Sequence, residues 1–175
     1  RQLIQNDNGR GQFVAHKTGW LGIWKALLTR EVDAAWFWLT WEGVKAYIDG
    51  VDVNQFLFDD YDIPYGYNPI LTAHQSWVEQ NGDALRRFLE ATSAGFQFAV
   101  KKPDEAARIL GKTAKHPTLN DRNFVEQSQQ MVSCYYLDGE GRWGYMHKGV
   151  WTSFTNWMLR NQMLTSRDGE VIQQL

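Results

Sequence analysis

Cysteine is nearly absent: Cys134 is the single thiol in 175 residues. That excludes a disulfide within the chain and any metal site made of cysteines alone, and leaves the redox compartment open. An excess of charge is missing too. Eighteen Lys and Arg stand against twenty Asp and Glu, for a net charge of −2 and a pI near 6.1. The basic residues are scattered and form no stripe along a helix, which argues against nucleic acid or an anionic membrane as partner. No apolar run approaches the roughly 18 residues of a transmembrane span, so no membrane-spanning segment is expected. The chain has no initiator Met and no signal peptide. It reads as starting inside a larger protein, so a missing targeting segment carries no weight. Internal repeats and low-complexity linkers are also lacking.

What is plentiful is aromatic. Phe, Trp and Tyr make up 14% of the chain, and nine residues are Trp. Most should be core, but nine are enough to line a cleft as well. Three of them, with a threonine and a carboxylate, crowd into residues 36–43, the end of the stretch 33–43. Ala34, Ala35, Phe37 and Leu39 suit a strand covered on both faces, as in a parallel sheet. Thr40, Trp41, Glu42 and Gly43 then break the run before a short helical pattern that ends at Gly50. A polar and aromatic cluster at the carboxyl end of such a strand is where open α/β sheets place ligands. Aromatic faces beside one carboxylate suit a flat heterocycle that offers hydrogen-bond donors.

The rest of the pattern frames that cluster. Residues 12–16, 54–58 and 70–74 read as further short strands, with a helix over 20–30 capped by Thr18. Between the last two strands lies a loop of acids, tyrosines and two prolines over 59–69. Its acids lack EF-hand spacing, so no metal is expected there. From Asn81 the chain reads as helical. A stripe of Leu85, Phe88, Leu89, Thr92, Phe96 and Ala99 follows a 3.6-residue period. Pro103, with Asp104 and Glu105 behind it, opens a helix ending at Gly111. Another, capped near Asn120, buries Phe124, Ser128, Met131, Val132 and Tyr135. A turn at 138–141 precedes a last helix with Val150, Trp151, Phe154, Trp157 and Met158 on one side. Cys134 reads as a buried small hydrophobe. His16 and His74 fall on strands with no Asp or Ser in register, and read as core or edge histidines.

The order Asp33-Ala-Ala, Trp41-Glu42-Gly43, Tyr61-Asp62-Ile63-Pro64-Tyr65-Gly66-Tyr67 resembles the thiamine-pyrimidine group of periplasmic-type solute-binding proteins. The segment from Asn81 through Lys102-Pro-Asp-Glu-Ala is similar to the group's next stretch. That group holds fungal-type thiamine pyrimidine synthases and the formylaminopyrimidine-binding proteins of bacterial ABC importers. Asp138-Gly-Glu-Gly-Arg-Trp-Gly-Tyr-Met looks most like the importer side.

The resemblance implies an α/β, type II periplasmic-binding-protein-like fold with two lobes, an interlobe cleft and a missing N-terminal segment. Residues 1–65 would be the later part of one lobe. Residues 66–175 would be the crossover strand and the helical C-terminal part of the other. The implied function is binding of an aminopyrimidine precursor of thiamine, with an ABC permease as partner, in the periplasm or on a lipid anchor outside the cytoplasm. No cofactor is then needed. The alternative is a cytoplasmic pyrimidine synthase consuming pyridoxal phosphate, but the cysteine-rich run of the synthases has no counterpart at 65–74. A sugar- or aromatic-binding module is a third class, since tryptophan-rich clefts also stack sugars. Glu42 is the candidate acceptor for ring and amino N–H groups, against its plain use as a helix-start carboxylate. Trp41 is the preferred stacking ring, with Trp38 as core or rim. Tyr65 and Tyr67 are candidates to close over the ligand, against a plain surface turn. Asp62 is a candidate hydrogen-bond partner, against a turn cap.

Overall fold

The computed structural model describes residues 1–17, 23–172 and 174, the side chains of Ile23 and Trp24 excepted. The Thr18 cap and the first turn of the helix expected at 20–30 lie outside the described residues. The chain divides into two compact units that interleave along the sequence: Arg1–Ala15, Asn54–Thr72 and Met146–Leu175 form one, His16–Val53 and Ala73–Tyr145 the other.

The second unit is the larger and holds most of the core. Its helices are α2 (Ile23–Leu28), α3 (Val44–Ile48), α4 (Gln75–Gln80), α5 (Gly82–Lys101), α6 (Pro103–Thr113) and α7 (Arg122–Ser133). Pro103 sits in the first turn of α6 with Asp104 and Glu105 beside it, where a missing N–H costs nothing and acids favour the dipole. The α7 start is fixed by Asp121, one residue beyond the expected Asn120, whose carboxylate accepts the Phe124 N–H at 3.1 Å. Val44, Ala107, Phe124 and Val125 are buried together, with Trp41, Ile48 and Leu119 packed against them. Ser128 is buried as expected, but Met131 and Tyr135 are exposed and Ser133 is buried in their place. The Ser133 hydroxyl finds acceptors on the Gln129 and Ala99 carbonyls, which is what makes its burial tolerable.

Other expectations for this unit fail for local reasons. The α5 stripe has the right period, yet Phe88 is 54% exposed and Leu89 stays open to solvent. Asn81 precedes α5 but turns its amide back to the Trp77 carbonyl, closing α4 instead of opening α5. Cys134 is exposed rather than buried, with its thiol toward the Gln130 carbonyl. His74 caps α4: its Nδ1 accepts the Ser76 N–H and lies 2.8 Å from the Ser76 hydroxyl, a serine partner where none was expected.

The first unit contains α1 (Gln2–Asn6), a 3₁₀ turn at Phe58–Tyr61 and α8 (Lys148–Arg160). Its centre is aromatic. Tyr65 lies 5.8 Å from Phe58 and 6.1 Å from Phe154, and Phe154 stacks on Trp157. Ile63 is the buried hydrophobic residue among the described residues of this unit. Gly66 is required: a Cβ there would stand 2.8 Å from the Phe154 ring. Asn6 donates to the Tyr61 carbonyl and ties α1 to the 3₁₀ turn. Tyr61 has its hydroxyl pKa raised, first by burial and then by Asp7 and Asp60.

The four expected strands are absent. Among the described residues there is no strand, and the single β-bridge joins Thr165 to Val171. Backbone at Trp38, Leu57 and His74 is extended. An extended segment becomes a strand only where a neighbour completes its hydrogen-bond ladder, and here none does. Residues 33–38 are accordingly not covered on both faces, and Trp36 is 63% exposed.

Candidate functional site

The stretch singled out by its composition folds into an uncommon element. Leu39–Gly43 forms one π-helical turn, entered from extended Trp38 and continued directly by α3. Such wide turns are rare and concentrate at functional sites. The Trp38 carbonyl accepts the N–H groups of Trp41 and Gly43, at 3.0 and 3.1 Å. Glu42 closes the loop from the other side: its Oε2 accepts the Trp38 N–H at 2.8 Å. This is the reciprocal logic of a capping box, moved one residue later because the turn is wider than an α-helix. From α7, the Ser128 hydroxyl donates to the Thr40 carbonyl and fastens the turn to the core.

That wiring decides what each side chain is free to do. Glu42 is half-buried, and among the described residues no other donor reaches its carboxylate. A carboxylate has about four lone-pair positions. One oxygen holds the turn and the other keeps its full acceptor capacity. Trp41 meets Phe124 edge-on at 4.4 Å and packs on the buried cluster. Trp38 is 44% exposed, with its ring tilted against Trp36 at 6.1 Å. Trp41 is thus the more enclosed of the two, because the π turn brings the ring at 41 onto α7, and Trp38, read as core or rim, stands at the exposed edge.

The other three candidates lie in the first unit. Asp62 follows the 3₁₀ turn in left-handed backbone, φ 52°, and is exposed. The Tyr65 hydroxyl accepts the Asn68 side-chain amide at 2.9 Å. The Tyr67 hydroxyl accepts the His147 backbone N–H at 2.8 Å, and its ring lies 5.9 Å from Trp151. Both phenols keep an O–H to donate. Trp38, Trp41 and Glu42 lie in one unit, and Asp62, Tyr65 and Tyr67 in the other.

Sequence reading missed Trp36 and the role of Ser128. Trp36 had a signal, being one more exposed-side aromatic two residues before Trp38. The Ser128 bond to Thr40 spans 88 residues and left no local trace. Among the described residues, no three His, Cys, Asp or Glu side chains converge as a metal site would require.

The chain belongs to the NMT1/THI5-like family, whose model matches residues 1–106. Membership implies a fold of the periplasmic-binding-protein type. Over 113 residues the chain is 25% identical to the formylaminopyrimidine-binding protein of Halalkalibacterium halodurans, a match covering 63% of this chain and 34% of that protein. The chain thus spans about a third of the length of that relative. No helix of the described residues is long and apolar enough to cross a membrane.

Proposed function

We propose that this chain supplies one wall of a binding site for an aminopyrimidine precursor of thiamine, in the solute-binding component of an ABC importer. One observation carries the reading: the Leu39–Gly43 turn holds a half-buried carboxylate with one oxygen uncommitted, next to the exposed ring of Trp38. A 4-aminopyrimidine offers N–H donors in the plane of a flat ring. Glu42 accepts those donors through its open oxygen, and Trp38 stacks on the ring face, with Trp36 behind it. Trp41 acts as the support that keeps the turn on α7. In this reading the non-helical segments at 12–16, 33–38, 54–57 and 70–74 take ladder partners in a two-lobed α/β fold. The bacterial relative is named as a binding protein, which supports importer over synthase.

The test is a pair of substitutions. Glu42→Gln keeps a carbonyl oxygen able to accept the Trp38 N–H, but turns an NH₂ group toward the ligand's own donors. Formylaminopyrimidine titrated against wild type and Glu42→Gln should show at least a tenfold loss, since a charge-assisted bond is worth about 1.5–3 kcal/mol. Equal affinity in the two proteins removes Glu42 from the site.

A further inference from the structure

We infer that the groove between α6 and α7 is a binding site for a small organic anion, a carboxylate or phosphate carried on an apolar body. It uses none of the six residues discussed above, and its walls lie beyond the residues matched by the family. The groove has a volume of about 530 Å³, inside the ordinary range for small-ligand pockets.

Its shape follows from the α6 sequence. Ala107 and Gly111 are four apart and therefore stacked on one face of the helix, where small side chains leave a trough. Ala107 and Val125 are buried at its floor, and Leu119 is packed against the same cluster. Arg108 and Lys112 each follow one of the small residues, so they form a parallel row about 100° round the helix, along the rim. Arg122, the first residue of α7, supplies a third cation from the other side.

Two of the three rim cations, Arg108 and Lys112, are not neutralised locally. Residues 101–122 contain six Lys and Arg and three Asp and Glu, within a chain whose net charge is −2. Those three acids are engaged elsewhere. Asp121 caps α7, Glu105 pairs with Lys102 at 3.2 Å, and the Asp104 carboxylate accepts the Gln130 amide. Among the described residues no carboxylate comes within ion-pair distance of Lys112 or the Arg108 guanidinium, whose Nε donates only to the Asp104 carbonyl. Glu126 is the single carboxylate lining the groove, and it faces Arg122 at 3.7 Å. Two unpaired cations over an apolar floor, with Arg122 shared with Glu126 at the far rim, select an anion with a hydrophobic body over a bare ion: the Arg108 guanidinium and the Lys112 ammonium take the oxygens and the floor takes the ring.

The experiment is an NMR titration of the isotopically labelled 175-residue chain at low salt, with phenyl phosphate, benzoate and inorganic phosphate as probes. Saturable shifts confined to residues 107–126 are expected, at concentrations below about 10 mM. Phenyl phosphate ahead of benzoate assigns a phosphate, the reverse order a carboxylate. Inorganic phosphate should bind more weakly than either, and 0.5 M salt should weaken all three. Lys112→Gln should weaken binding severalfold, and Lys112→Glu with Arg122→Glu should abolish it. Both positions are on the helix surface, and the single substitution serves if the double variant fails to fold. No saturable shift, shifts spread over the other Lys and Arg residues, or undiminished binding in Lys112→Gln overturns the inference.

Discussion

Glu42 shows what a residue's neighbours add to its type. Its family setting and its place after Trp41 were legible in the sequence. Its bond to the Trp38 N–H was not, because it depends on a π turn that no periodicity announces. The same turn sets Trp41 against α7 and leaves Trp38 exposed. Trp41→Ala should therefore act on stability, costing about 3–5 kcal/mol as other truncations of large packed aromatics do, measured by chemical denaturation. Trp38→Ala should leave the midpoint within about 0.5 kcal/mol and weaken pyrimidine binding. Gly66 belongs to the same scale: Gly66→Ala drives a methyl group into the Phe154 ring, and a loss of about 1–3 kcal/mol is expected in the same assay.

Asp138 supplies a pH dependence. Its pKa is lowered, first by the Arg142 N–H at 2.8 Å, then by the Arg142 side chain and the Glu140 N–H, with burial opposing. Arg142 in turn reaches Glu140 and lies over the Tyr145 ring. A lowered carboxyl pKa stabilises the fold above the ordinary value of 3.8, and that contribution is lost as pH falls through the lower folded value. Asp138→Asn should therefore melt earlier than wild type at pH 7, with the gap closing as pH falls below 3.8 and through the lowered folded value. A gap that is constant across the range would mean that the charge of Asp138 plays no part.

At the scale of elements, helices were legible and strands were not. Pro103 with its acids, the 3.6-residue stripe of α5 and the aromatic face of α8 are local signals, and the helices stand close to where those signals put them. A strand signal reports only that a segment suits burial between neighbours. The four segments read as strands carry that signal, and among the described residues no neighbour forms a ladder with them. Cys134 and Tyr135 failed differently: α7 ends at Ser133, so the helical face that should have buried them stops short. The element on which most depends is α7, which carries Phe124 and Val125 for the core and Ser128 for the π turn. Ser128→Ala frees the Thr40 carbonyl at a cost of about 1–3 kcal/mol. It should also speed amide exchange at residues 38–43 more than in α5. Uniform exchange would separate the turn from α7.

For the whole molecule, the expected lobe boundary at residue 65 falls within the segment Asn54–Thr72 of the first unit. The chain matches about a third of its bacterial relative, so full affinity is expected to need walls beyond these residues. The 175-residue chain alone should bind formylaminopyrimidine no better than about 1 mM. That weak binding is enough for the decisive measurement: tryptophan fluorescence and amide shifts followed on titrating the wild-type chain and Glu42→Gln side by side, with thermal melts of both. The account predicts saturable shifts at residues 36–43 in wild type, their loss in Glu42→Gln, and melting temperatures that agree. The same shifts in both proteins, or none at 36–43 in wild type, would contradict it.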